Sequence, residues 1–238
     1  MLIMNAQIKD EFVNISLTTE SLTSYVMRRA ILEFVKKSAP SLNGTLLDIG
    51  CGTMPYKELI LSFGKVTKYI GLDLNYSTIH DTSVADLHWD GEKIPMADAS
   101  VDSILAIEFL EHYADTQDII DEMYRVLKPK GIIVITVPFI WPLHETPNDE
   151  NRFTPYSLNR FFEKAGFNQI EFTATGGWHA SLAMILGLWI HDAPMSFRKR
   201  NVLTIIIKPI MKFLMKKDRI PVLTEGCMMT GIGCVIRK

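Results

Sequence analysis

From Gly44 to Phe63 the chain reads GTLLDIGCGTMPYKELILSF: a short apolar strand, then a turn holding Gly50 and Gly52, then a helical pattern. A strand that enters a glycine turn and leaves as a helix is the opening half of a βαβ unit, which commits the downstream residues to a parallel sheet covered by helices. The rest of the chain keeps that rhythm. KYIGLDL (68–74) and VDSILAI (101–107) read as strands, TQDIIDEMYRVLK (116–128) as an amphipathic helix, and GIIVITVPF (131–139) as a strand buried on both faces. TPYSLNRFFEKAGF predicts a helix capped by Thr154 and closed at Gly166, followed by the strand NQIEFTAT. Residues 179–219 read as mainly helical with breaks at Pro194 and Pro209, and GCMMTGIGCVIRK as a terminal strand. Before all of these, TTESLTSYVMRRAILEFVKK predicts a helix capped at Thr18 or Thr19 and ended by Pro40.

At 238 residues the chain suits one α/β domain, 1–238, with an N-terminal helical segment over 1–40 and a helical lid over 179–219 inserted before the last strand. Hydrophobic residues at 47% against 22% charged describe a globular chain. A net charge of −2 gives no general basis for nucleic-acid binding. The cysteines Cys51, Cys227 and Cys234 have neither zinc-ligand spacing nor a disulfide framework, which points to a reduced, cytoplasmic setting. MLIMNAQIKDEF meets Asp10 and Glu11 too early for a signal-peptide core, and the apolar run Ala180 to Ile190 falls short of the ~20 residues a spanning helix needs.

Asp48 ends the first strand and Asp73 the second, so two carboxylates and the glycine turn outline a nucleoside pocket, with Asp73 suited to ribose hydroxyls. A dinucleotide fingerprint wants a third glycine where this chain has Pro55. Asp48 would also sit awkwardly beside a pyrophosphate, whereas it can answer a cationic amino-acid tail. Both points favour S-adenosylmethionine over NAD.

At these residues the sequence resembles the class I S-adenosylmethionine-dependent methyltransferases, of the methyltransferase type 11 kind. LLDIGCGTMPY resembles their first motif, YIGLDL their acidic ribose-binding strand, WDGEKIPMADASVDSILAIEFLEH the block leading through the fourth strand, and MYRVLKPKGIIVITVP the fifth strand and its entry. The resemblance implies a Rossmann-like, doubly wound, mainly parallel seven-stranded sheet with flanking helices and a C-terminal helical lid. By carry-over, Asp48, Gly50 and Gly52 line the cofactor, Asp73 holds the ribose, Asp90 lies near the adenine amino group with Asp86 as its rival, and Glu108 borders the cofactor. Met54 stands where many members have glycine or a small residue.

The loop after the fifth strand, PFIWPLHETPNDENRFTPYSL, holds His144, Glu145, Asp149, Glu150 and Arg152 between prolines. His144 is the candidate general base, with a purely loop-fixing histidine as the alternative; Asp149 and Arg152 read as an ion pair. This loop is similar to one in bacterial methyltransferases of surface-glycan and secondary-metabolite pathways. In AIEFLEHYAD, Glu108, Glu111 and His112 share one face if the segment is helical. The spacing resembles the magnesium-binding helix of ubiquinone-pathway O-methyltransferases and small-RNA 2′-O-methyltransferases, and His144 could complete such a site; a metal is left open.

Between Arg198 and Arg219 eight Lys or Arg face one acid, Asp218. A packed lid with solvated lysines is the first expectation, and a weak peripheral membrane contact through 198–219 the second. The expected function is methyl transfer from S-adenosylmethionine to a small-molecule or glycan acceptor at oxygen, with no DNA partner. RNA methylation and a non-catalytic S-adenosylmethionine-binding protein are the alternatives.

Overall fold

The computed structural model describes residues 11–74 and 84–238. The N-terminal run Met1 to Asp10, weighed as a leader, lies outside the described residues. The chain divides into two compact units, one of residues up to 33 together with 173–231, the other of 34–172 together with 232–238.

The second unit is built on the sheet. Strands β1 (Gly44–Ile49), β2 (Val66–Leu74), β3 (Leu87–Trp89), β4 (Val101–Ile107), β5 (Leu127–Pro138), β6 (Gln169–Ala174) and β7 (Gly231–Arg237) stand in the order β3-β2-β1-β4-β5-β7-β6. β1 pairs in parallel with β2 and β4, as do β2 with β3 and β4 with β5. Lys238, just past the end of β7, donates its N–H to Gly131 and accepts from Lys130 near the start of β5, so β7 runs against its neighbour and the sheet is mixed. Strand order reverses at β1, so the carboxyl ends of β1 and β4 flank the crevice where ligands enter such sheets.

The core is dictated by the apolar runs. Leu46, Leu47 and Ile49 of β1, Ile104 and Leu105 of β4, and the eight consecutive buried residues from Gly131 to Pro138 of β5 are covered on both faces. The helices of this unit and its border are α1 (Tyr25–Ser38), α2 (Lys57–Ser62), α3 (Thr116–Val126) and α4 (Pro155–Ala165). α3 turns Ile119, Ile120, Met123 and Val126 inward, and α4 begins where Thr154 Oγ1 accepts from Ser157 N–H and ends at Gly166, φ 105°. α5 (Trp178–Asp192) and α6 (Phe197–Lys217) belong to the other unit.

Three expectations are corrected. α1 begins at Tyr25; Thr18 instead closes a separate turn in which it and Ser21 exchange N–H to Oγ bonds. Pro209 does not interrupt α6, which runs through it; its ring lies on the exposed side of the helix and meets no core packing there. Glu108, Glu111 and His112 do not share an α-helix: Glu108 follows the end of β4 at φ 50°, and Leu110–His112 is one 3-10 turn.

Candidate active site

All the residues of this site belong to the sheet unit. Asp48 is buried at the end of β1, where Tyr69 Oη donates to its Oδ2 at 2.5 Å. Burial pushes the carboxyl up to about 7, against the Tyr69 hydrogen bond and with help from the Asp73 charge. The turn then passes Gly50 at φ 67° and Gly52 at φ 47°, conformations that cost a side chain strain. Gly52 N–H donates to Asp73 Oδ2 (2.7 Å) while Leu74 N–H donates to Asp73 Oδ1 (2.8 Å), which fixes the carboxylate over the turn. Among the described residues, nothing lies within 4 Å of where a Gly52 Cβ would stand, so the backbone there is open to a ligand. Met54, in the place of a small residue, takes φ 52° without glycine's freedom.

Asp86 and Asp90 have different surroundings. Asp86 Oδ2 accepts from Gly71 N–H at 2.8 Å, and Asp86 N–H donates back to Gly71 O, so this residue fastens the edge of β2. Asp90, past the end of β3, is exposed; its Oδ1 accepts from Glu92 N–H, which lowers the carboxyl below the usual range. Next to it Trp89 stacks on Tyr113, with ring centroids 6.3 Å apart, and Tyr113 tilts against Phe109 at 6.0 Å.

After β4 the chain turns sharply into the 3-10 turn. Glu108 N–H donates to Thr136 O and Oγ1, and burial pushes its carboxyl up to about 7 against the Thr136 hydroxyl and the Arg152 charge. Glu111 is 0% exposed, and neither carboxyl oxygen has a hydrogen-bond partner. Burial, reinforced by Glu108, holds its carboxyl well above the ordinary range. Its backbone O accepts from both Glu150 and Asn151 N–H, which ties the loop after β5 onto the turn.

That loop presents His144. Arg152 grips Asp149 bidentately, Nη1 to Oδ1 at 2.6 Å and Nη2 to Oδ2 at 2.7 Å, and its other bonds reach Trp141 O, Pro142 O and Asn151 O. The expected ion pair is therefore present, and it keeps Asp149 ionised far below the usual carboxylate range. The same Asp149 Oδ2 accepts from His144 N–H and lies 3.2 Å from His144 Nδ1. A carboxylate there favours the Nδ1–H tautomer of the neutral ring, the tautomer in which the Nε2 lone pair is available. His112 is set the same way: Nδ1 lies 3.1 Å from Asn148 O, which can only accept, and burial lowers the imidazole's proton affinity. The two rings meet edge-on at 4.8 Å.

Glu111, His112 and His144 can each offer a ligand atom, all within 4.8 Å of one another. Glu108 stands outside this group, so the structure joins His144 to two of the three residues in the motif. Two imidazoles and a carboxyl suit manganese, iron or zinc better than magnesium, which prefers oxygen. Tyr69, Thr136 and Asn148 have roles here that spacing did not mark. Tyr69 had the better signal, an aromatic residue that opens the continuously buried stretch 69–72 of β2.

Residues 47–135 match the family profile described as a methyltransferase domain. A probable S-adenosylmethionine-dependent methyltransferase from Mycolicibacterium smegmatis is 26% identical over 155 residues, 60% of this chain and 60% of its own length. The biotin biosynthesis bifunctional protein BioHC of Teredinibacter turnerae is 29% identical over 43% of this chain and 21% of its own. The chain thus spans three-fifths or less of these curated relatives. Among solved structures, a SAM-dependent methyltransferase from Archaeoglobus fulgidus has a similar fold (TM-score 0.54, 17% identity, 98% of this chain and 99% of that one). So does phosphoethanolamine N-methyltransferase 2 from Haemonchus contortus, solved with S-adenosyl-L-methionine (TM-score 0.55, 17% identity, 97% and 60%).

Proposed function

We propose that the chain, whose residues 47–135 match a methyltransferase-domain profile, is a class I S-adenosylmethionine-dependent methyltransferase that methylates a hydroxyl group of a small-molecule or glycan acceptor. The observation that carries this reading is the His144–Asp149–Arg152 array, a base with a free Nε2 whose other nitrogen is held by an ionised, clamped carboxylate. Bound S-adenosylmethionine would supply the sulfonium methyl, which the acceptor oxygen would take as the carbon–sulfur bond breaks with its electron pair left on sulfur, and His144 Nε2 would receive the hydroxyl proton. Little else is asked of the protein than alignment and exclusion of water. Asp73 takes the ribose, Gly50 and Gly52 the path of the amino-acid tail, Asp48 its ammonium, and Glu108 the cofactor's flank. Asp90 takes the adenine amino group, because the Asp86 carboxylate is already bound to Gly71 N–H.

His144→Ala tests the oxygen assignment. With a hydroxyl acceptor, kcat is expected to fall by about 10²–10³ while the KM for cofactor stays near wild type. A neutral amine acceptor has its lone pair ready before any proton leaves, so undiminished kcat in His144→Ala would overturn the hydroxyl reading. The Haemonchus contortus relative in fold is named for nitrogen as its acceptor atom.

Asp48 gives a second expectation. A carboxyl that binds its proton more tightly when folded contributes its full stability below about pH 4 and loses it as pH rises toward 7. A bound ammonium reverses that preference. Affinity for S-adenosylhomocysteine is therefore expected to rise from pH 6 to 8, with a proton released on binding at pH 6. Titration calorimetry in buffers of different ionisation heat reads both, and a pH-independent affinity would remove Asp48 from the ammonium.

A further inference from the structure

Within the unit that holds α5 and α6, the two helices pack on each other as a hairpin. Ala183, Met184 and Gly187 of α5 and Ile207, Met211 and Leu214 of α6 are buried. The opposite faces are not polar. On α5, Trp178, Leu182, Ile185 and Trp189 succeed one another at intervals of four, three and four residues, which puts them in a single stripe, and each is exposed. On α6, Val202, Ile205, Ile206 and Phe213 are 58%, 74%, 51% and 58% exposed. A water-facing surface seldom gathers so many large apolar side chains on neighbouring helices without something to cover them.

Charge says what that cover is. Arg198 and Lys199 precede the apolar middle of α6, and Lys212, Lys216 and Lys217 succeed it on exposed positions; the 21-residue helix contains no Asp or Glu. A twofold pairing with a second copy would set this cationic helix against itself. A surface of anionic headgroups over an apolar interior complements both features. Tryptophan also favours that boundary, and lysine stems can reach up to the headgroups from beside buried neighbours. No described helix is long and apolar enough to cross a membrane, which leaves lying in the interface as the mode of contact.

We propose that the α5–α6 hairpin docks on an anionic lipid surface, with the Trp178–Trp189 and Val202–Phe213 stripes in the interface and the flanking lysines and arginines among the headgroups. This extends the contact beyond the basic segment 198–219 to α5. The proposal is independent of the acceptor assigned to the active site.

Vesicle co-sedimentation of the full chain tests it, with phosphatidylcholine vesicles with and without phosphatidylglycerol, at low and high salt. The wild type is expected to bind the anionic vesicles at low salt, and to bind at least about tenfold more weakly to phosphatidylcholine alone and at high salt. Ile205→Asp/Phe213→Asp removes apolar surface that is already exposed, and is expected to lose at least about tenfold in affinity at every lipid composition. Lys212→Glu/Lys216→Glu is expected to lose affinity only for the anionic vesicles. Circular dichroism and S-adenosylhomocysteine binding check that each variant is folded. No sedimentation with anionic vesicles at low salt, or equal binding by wild type and the Ile205/Phe213 variant, would overturn the proposal. So would a dimer, seen by light scattering, that the same variant dissolves while vesicles bind neither protein.

Discussion

Gly50→Ala is expected to lower the melting temperature by roughly 5–10 °C and to remove measurable cofactor binding. Two costs add. At φ 67° an alanine pays the left-handed penalty of about 1–2 kcal/mol. Its Cβ would also stand 2.6 Å from Phe109 Cδ2 and 3.2 Å from Cγ. The phenyl ring has limited room to yield, because it tilts against Tyr113, which stacks on Trp89. Overpacking of that kind costs about 1 kcal/mol or more, and at about 2–4 °C per kcal/mol for a chain of this size the sum gives that range. Gly52→Ala is the informative comparison. Its φ of 47° carries the backbone penalty, but no described atom lies within 4 Å of the new methyl. It should therefore lose less stability while still placing a methyl on the path proposed for the cofactor tail. Scanning calorimetry and S-adenosylhomocysteine titration of both variants read the contrast. A Gly50→Ala protein that melts with the wild type and binds the product would refute this account of the turn.

The sheet was legible wherever a strand is buried on both faces, because an unbroken apolar run between turn residues has few other solutions. VDSILAI and the core of β5 are of this kind. β3 was not, since three residues, one of them exposed, carry no period. α6 was misjudged at Pro209 because the local cost of a proline, a lost N–H bond and a ring clash, is outweighed by the burial of Ile207, Met211 and Leu214 on either side of it, which sequence alone does not show. The glycine turn after β1 was legible as a turn because its glycines and carboxylates sit at fixed distances from strand ends. The cluster formed by the turn after β4 and the loop after β5 was legible as a set of residues and not as an arrangement. Spacing placed Glu108, Glu111 and His112 on one helical face, yet the positive φ of Glu108 breaks the periodicity that such a face requires. Nothing in EFLEHY marks Glu111 as the residue that becomes fully buried, and nothing in the loop marks Asn148 O as the acceptor that sets the His112 tautomer.

Glu111→Met is expected to make the protein more stable and less active. A carboxyl that is 0% exposed with both oxygens unpartnered costs about 1–3 kcal/mol in desolvation, and methionine fills a similar volume with no polar atom to satisfy. The backbone O that anchors Glu150 and Asn151 remains. The gain has a pH signature. Because the folded chain holds the Glu111 proton well above the usual range, its contribution to wild-type stability is full below about pH 4 and is lost progressively as pH rises. Methionine does not titrate, so the melting temperature of the variant should exceed that of the wild type by more at pH 8 than at pH 5. A chain keeps such a residue only where its pocket is used. The neighbours say how: His112 and His144 each bring a ring nitrogen within 4.8 Å of this carboxyl and of one another, a set that can pass a proton or take a divalent cation. Manganese titration separates the two. A rise in wild-type melting temperature that Glu111→Met lacks would assign the pocket to a cation and take His144 out of proton transfer; no rise in either protein leaves His144 as the base. A Glu111→Met protein less stable than the wild type at pH 8 would show that the carboxyl is satisfied in solution, and the buried-acid argument would fail with it.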